Sequence, residues 1–188
     1  NKVIGEAEGS LGSRYRVGDY HVQRIGDELY WVAPLEFRGL VKWFKYRHSA
    51  GFIVVSAENH TRPARLVADR EMRYMPSAFF GSNLRRHLYK EYSSKGLTEY
   101  TFELDDNFEP HWVVTVFRPS IAYFGPVVQG VVIVDPETGT TEYHKVGDIP
   151  RWVDRVYPEA FAEQYILWNG IYQLGWWNSW FAQEGVEV

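Results

Sequence analysis

The sequence predicts an α+β protein of two similar units, each a curled antiparallel sheet packed on a helix. Three observations predict this. Short runs rich in Val, Ile, Tyr, Phe and Trp alternate with turn residues, as antiparallel strands do. Helical spacing of apolar residues is confined to two stretches. The third observation is an internal match. LYWVAPLEF (Leu29–Phe37) matches PHWVVTVFR (Pro110–Arg118), with Trp31 over Trp112. GFIVVSAENHT (Gly51–Thr61) matches GVVIVDPETGT (Gly130–Thr140), and YMPSAF matches DIPRWV, with Pro76 over Pro150. The offsets are 81, 79 and 74 residues in unchanged order, the pattern that insertions and deletions in loops leave on a repeat. The expected organisation is a flexible lead-in over 1–18, a first unit over 19–97 and a second over 98–188, ending in an aromatic helix.

Each element has a local reason. Residues 1–18 are glycine-rich with little apolar periodicity and read as a linker. Tyr20–Ile25 and Glu28–Phe37 read as strands joined at Gly26-Asp27. RGLVKWFKYRHSA reads as a basic, aromatic loop or short helix. GFIVVSAENHTRPARLV reads as strand, turn and strand. YMPSAFFGSNLRRHLYKEYSSKG reads as a helix, with Pro76 in its first turn, Phe80, Leu84, Leu88 and Tyr92 on one face, and Gly96 just past its end. Two strands follow around Asp105–Glu109, then a strand–turn–strand over VVQGVVIVDPETGTTEYHKV. The stretch after Pro158 reads as helix. Short connections between antiparallel neighbours favour α+β over βαβ.

Composition bounds the function. Net charge is −4, which argues against nucleic acid as a partner, because phosphate binding rests on surplus Lys and Arg. The chain has no cysteine, so it has no disulfide scaffold, thiol nucleophile or Cys-ligated zinc. No run reaches the roughly 18–20 apolar residues of a membrane helix. The chain starts at Asn1 rather than Met, which leads us to expect a processed product or part of a longer protein, with any membrane anchor lying outside it. The 8 Trp, 13 Tyr and 11 Phe favour a dense core or a surface that grips sugars, peptides or a membrane interface.

The second half carries a family resemblance. His111-Trp112-Val113-Val114, then Gly130 to Val134, then Asp135-Pro136-Glu137-Thr138-Gly139-Thr140 form a strand, a strand and a D-x-x-T-G hairpin. This stretch, roughly Gly96 to Val146, resembles PepSY-like (PepSY/cystatin-like) units of bacterial proteins. The first half keeps the apolar pattern but has Ser56-Ala57-Glu58-Asn59-His60 where the hairpin stands. The resemblance implies an extracytoplasmic, membrane-tethered binding or inhibitory module, with no catalytic residues to carry over and no cofactor. The partners it implies are a protein, a peptide or a cell-envelope polymer.

The candidate sites follow from the residues. Asp135 to Gly139 has a complete turn explanation: an acid that bonds back to the turn amides, Pro with φ pre-set, and Gly for the left-handed residue. Its carboxylates are expected to face solvent. Glu103, Asp105, Asp106 and Glu109 form an acidic cluster at a hairpin; paired carboxylates there are the rival reading, an enzyme acting on an envelope polymer. His111 and His144, with Glu142 nearby, are the pair that could approach across the second sheet, but no histidine sits in a metal-ligand motif and no metal is expected. Trp43 in KWFKYRH and Arg85-Arg86 are basic or aromatic candidates for a ligand or partner. Trp176, Trp177 and Trp180 of GWWNSWF lie on a helix apolar on two sides, which is expected to pack between the two units; alternatively they face a ligand, partner or membrane interface, or dock the chain into an assembly as a structural subunit. Asn59-His60-Thr61 fits a glycosylation sequon at a turn.

Overall fold

The computed structural model describes residues 15–49, 51–59, 61–118, 126–161 and 163. The protein is α+β, with two antiparallel sheets and few helices. The first sheet contains β1 (Tyr15–Val17), β2 (His21–Ile25), β3 (Glu28–Phe37), β4 (Phe52–Ser56) and β5 (Arg65–Val67). The second contains β6 (Gly96–Leu104), β7 (Pro110–Arg118), β8 (Val127–Val134) and β9 (Thr141–Lys145), in that spatial order. Helix α1 (Leu40–Tyr46) connects β3 to β4, and α2 (Leu84–Glu91) lies in the connection between the sheets.

Strand β3 organises the first sheet. One side pairs with β4; the other pairs with β2 and then β1, end to end. The gap between β1 and β2 falls at Pro34, which has no N–H to offer that side. Its carbonyl still accepts from the Gly18 amide at 2.8 Å. Gly26, at φ 60°, makes the tight link between Ile25 and Glu28, as expected for that hairpin.

The two sheets share one core. Val32, Phe52 and Val54 of the first sheet pack in the same apolar cluster as Phe102, Trp112 and Val132 of the second. The Phe52 and Phe102 rings lie 5.6 Å apart. The second sheet's other face is covered by the segment after β9, where Ile149, Trp152, Val153 and Val156 pack on Val113, Val131 and Ile133. Both faces of β8 are therefore buried over Val131–Val134, which accounts for the unbroken Val and Ile of that stretch.

The internal match holds at the level of pairing. Trp31 pairs with Val55 and Trp112 with Val134, and the matched residues take matched partners. The matched glycines also do one job. A Cβ on Gly51 would lie 1.9 Å from the Val67 carbonyl oxygen, and one on Gly130 would lie 2.0 Å from that of His144. In both halves the next strand's backbone passes too close for a side chain. The facing differs. Trp112 and Val134 look into the shared core, whereas Val55 lies on the outer face of its sheet with Leu35 and Ile53, and Trp31 is 36% exposed.

The helix expected over residues 74–96 is shorter than its apolar spacing suggests. Helix α2 begins only at Leu84, after a 3-10 turn at Phe80–Ser82. Asn83 is the cap: its side chain accepts from the Arg86 amide at 3.0 Å and donates to the carbonyls of Pro76 and Ala78. Pro76 thus lies well before the helix, and Phe80 is exposed with φ 53°. Eight residues are too few for a stable isolated helix. Burial of Leu84 and Leu88 holds it, at roughly 2 kcal/mol each. Gly96 opens β6 instead of stopping the helix, because the Phe117 ring occupies the space of its missing Cβ. After Pro158 a helical turn begins at 159–161, where Phe161 packs edge-on to Phe117 at 5.2 Å; the expected aromatic helix from 164 onward lies outside the described residues.

Candidate functional site

The sheets meet along the edges of β2 and β6. Gln23 is the clasp. Its Nε2 donates to the Leu104 carbonyl at 2.7 Å and its Oε1 accepts from the Leu104 amide at 2.9 Å. The side chain thus occupies both backbone groups of an edge residue, as a neighbouring strand would. It also donates to the Trp152 carbonyl at 3.1 Å, tying in the segment after β9.

Beside the clasp, the two edges bound a cavity of about 400 Å³. His21 of β2 and Tyr100, Thr101 and Phe102 of β6 line it, with Trp112 of β7 behind. Arg85 from α2 and Arg155 from the post-β9 segment enter from outside, as do Asp19, Tyr20, Glu36 and Glu99. A second cavity, of about 440 Å³, shares Glu99 and Arg155 with the first.

Two ring nitrogens in this cleft lack partners. Trp112 is 2% exposed and His21 is 7% exposed, and Trp112 Nε1 and His21 Nε2 make no hydrogen bond. Buried polar atoms are usually paired; Trp43 Nε1, His48 Nδ1, Ser77 Oγ and His144 Nε2 also lack partners among the described residues, so orphaned atoms are not peculiar to this cleft. Burial, reinforced by the charge of Arg155 and opposed by Asp154, pulls the His21 pKa down to about 4. His21 is therefore a neutral imidazole at neutral pH.

The cationic groups are also uncommitted. Elsewhere Arg16 pairs with Glu36 at 2.7 Å, Arg62 with Glu28 at 2.8 Å, and Arg70 with Glu109. Arg85 and Arg155 pair with no carboxylate among the described residues. The Arg85 guanidinium instead stacks 4.6 Å from the Tyr100 ring centre. Burial raises the Tyr100 pKa, against the pull of Arg85.

Glu99 stands at a β-bulge, where the β6–β7 register shifts between Thr98 and Tyr100, and its φ is 49°. A bulge re-aims the side chains around it, and left-handed backbone at a Glu is costly. Here the bulge places Glu99 at the rim of both cavities.

The acids expected to form an enzymatic pair have structural duties. Glu103 is fully buried on the other face of β6. It accepts from the Asp154 amide at 2.7 Å, the Arg155 amide at 3.2 Å and the Thr101 hydroxyl at 3.1 Å. Burial pushes its pKa up to about 7 despite those donors. Asp105 closes the β6–β7 turn, accepting from the amides of Asn107 and Glu109 at 2.8 Å each. Glu109 is the partner of Arg70. Asp106 is exposed in that turn.

The Asp135–Gly139 turn is built as its sequence suggests but is set differently. Asp135 Oδ1 accepts from the amides of Glu137 and Thr138, and Gly139 takes φ 78°. The turn does not project into solvent. Pro136 and Gly139 are buried, the Pro136 carbonyl accepts from the amides of Arg73 and Tyr74, and the Gly139 carbonyl bonds His87 Nε2 at 2.8 Å. Only the Glu137 carboxylate faces outward as expected.

The remaining candidates divide. Arg85 is in the cleft. Arg86 is exposed on α2 and lines neither cavity. Trp43 is 2% exposed and packs on Phe44, Phe79 and Phe80, so its ring belongs to the core and not to a partner surface. Trp176, Trp177 and Trp180 lie outside the described residues. His111 stacks on Trp152 at 4.9 Å, and His144 contacts Glu142 at 3.4 Å. No group of three or more His, Asp or Glu side chains that could hold a metal ion occurs among the described residues. Asn59 closes its own turn by accepting from the Thr61 amide and hydroxyl.

Sequence reasoning missed His21, Glu99, Trp112 and Arg155 as site residues. The only sign was in HVQRI, where His and Gln stand at the alternate positions that face inward. Comparison of the chain with known families, with curated proteins and with solved structures found no significant match.

Proposed function

We propose that this chain is a non-catalytic binding or regulatory module, a tandem of two PepSY-like units belonging to a longer, membrane-associated extracytoplasmic protein, and that it holds its ligand in the cleft between β2 and β6. One observation carries the reading: the edges of β2 and β6 bound a cavity lined by His21 and Tyr100 and flanked by the guanidiniums of Arg85 and Arg155, which pair with no carboxylate among the described residues. A volume of about 400 Å³ falls in the range of small-ligand pockets, about 300–1,000 Å³. The matched pairing of Trp31 and Trp112 and the matched roles of Gly51 and Gly130 support the tandem. The structural bonds of Glu103, Asp105 and Glu109 favour binding over polymer cleavage by these acids.

The test is a thermal-shift screen of small molecules, peptides and envelope-polymer fragments on the wild type and on Arg85→Glu. A ligand that raises the wild-type Tm and loses its effect in the variant supports the module. The reading falls if no compound class shifts the protein, or if polymer fragments are cleaved and Asp105→Asn with Asp106→Asn abolishes the cleavage.

A further inference from the structure

Resting on that cleft as a ligand seat, we propose that its ligand is a short peptide with both ends free, laid along the edge of β6. Three independent features meet there.

The first is an open backbone edge. In an antiparallel pair, successive residues point their N–H and C=O alternately toward and away from the partner strand. Asp105 and Glu109 bond each other across the β6–β7 turn, so Leu104 points its groups outward, where Gln23 takes both. By the same alternation Phe102 and Tyr100, paired across from Trp112 and Val114, turn their N–H and C=O outward; Phe102 is enclosed by the core, whereas half-buried Tyr100 meets the cavity. An edge that Gln23 satisfies at Leu104 meets the cavity at Tyr100, and an extended peptide is the ligand whose backbone fits it.

The second is charge of both signs. Arg85 and Arg155 are guanidiniums that pair with no carboxylate among the described residues. Together they suit a carboxylate. Asp19 and Glu99 line the same cavity, and neither is ion-paired among the described residues; Glu36, the third acid, is already taken by Arg16. They suit an ammonium group. An anion alone would leave Asp19 and Glu99 facing it. A molecule with a carboxylate at one end and an amine at the other uses both sets.

The third is the bulge at Glu99. It is the position in β6 where the backbone adopts φ 49°, and it brings a carboxylate to the cavity rim beside the open edge. Strain held at a ligand-facing position is the usual company of a binding site.

The experiment is isothermal titration of the full chain with tri-alanine and with a mixed tripeptide pool, each free-ended, N-acetylated or C-amidated. Free-ended peptides should bind, and masking either end should weaken binding about tenfold or more. Arg85→Gln should erase the preference for a free carboxylate while keeping that for a free amine; Glu99→Gln should do the reverse. Both positions are on the cleft rim, outside the core, so circular dichroism and unfolding midpoints serve to show that both variants fold. Equal binding of masked and free peptides overturns the proposal, as does loss of both preferences together in either variant. If no peptide binds while another compound from the screen shifts the wild type and not Arg85→Glu, the peptide assignment falls and the ligand seat stands.

Discussion

Gln23 and Leu104 exchange two hydrogen bonds, side chain to backbone, and through them an edge strand of one sheet is joined to an edge strand of the other. Replacing Gln23 by Ala would leave the Leu104 amide and carbonyl and the Trp152 carbonyl without those partners. Each unsatisfied buried group costs about 1–3 kcal/mol, so Gln23→Ala, which strands three, should destabilise the protein by about 3 kcal/mol or more in urea unfolding. Because the core is shared, near- and far-ultraviolet signals should still be lost in one transition.

Glu103 and His21 should tilt the pH profile of stability in opposite directions. The Glu103 pKa rises from 4.5 to about 7 on folding, chiefly through burial, so its contribution is full below pH 4.5 and is lost as pH rises to 7. The His21 pKa falls from 6.5 to about 4, so its contribution is full above pH 6.5 and is lost as pH falls to 4. Both groups lie near Asp154 and Arg155, which accounts for part of each shift. Between pH 4.5 and 6.5 the two slopes oppose in the wild type. In Glu103→Gln stability should climb with pH across that window, and in His21→Asn it should fall. Urea midpoints at pH 4.5, 5.5 and 6.5 distinguish these; unchanged slopes would refute the assignment.

Gly51→Ala and Gly130→Ala should behave alike. Each new methyl meets a backbone carbonyl at about half the normal contact distance, and backbone cannot rotate aside as a side chain can. We expect about 2–4 kcal/mol of destabilisation from either, measured by thermal unfolding. Gly26→Ala, with nothing within 4 Å of its Cβ, should show only the smaller cost of its positive φ, about 1 kcal/mol.

Asp135 should matter for stability and not for chemistry. Asp135→Ala removes the acceptor of the Glu137 and Thr138 amides and should cost about 1–2 kcal/mol. Asp135→Asn keeps an oxygen at that place and should stay within about 0.5 kcal/mol of wild type. Binding of any cleft ligand should be the same in both, since the turn lies outside the cavity.

Strand identity was legible wherever apolar alternation and a turn residue coincided, as at Gly26-Asp27 and at Asp135–Gly139. The extent of α2 was not, because Phe80 kept the helical spacing while the chain around it was held by Asn83 and its bonds to Pro76 and Ala78. The cleft was barely legible. Its lining comes from 19–21, 36, 76, 85, 99–102, 112 and 155, positions joined only once the two sheets share a core. Glu99 illustrates the difficulty best: its importance comes from a register shift, and GLTEYTFEL reads as a plain alternating strand.

The opposite facing of Trp31 and Trp112 bears on ancestry. Had two copies of a single-sheet forebear first associated as an isologous pair, a twofold axis would present the same patch from each copy, and matched residues would face inward together. Here one matched set faces the core and the other faces away. If the halves descend from one unit, they stack heterologously, head to tail, with the front of one sheet against the back of the next. Such stacking does not close by itself. In this chain the post-β9 segment covers the second sheet's outer face, the face on which a further sheet would stack.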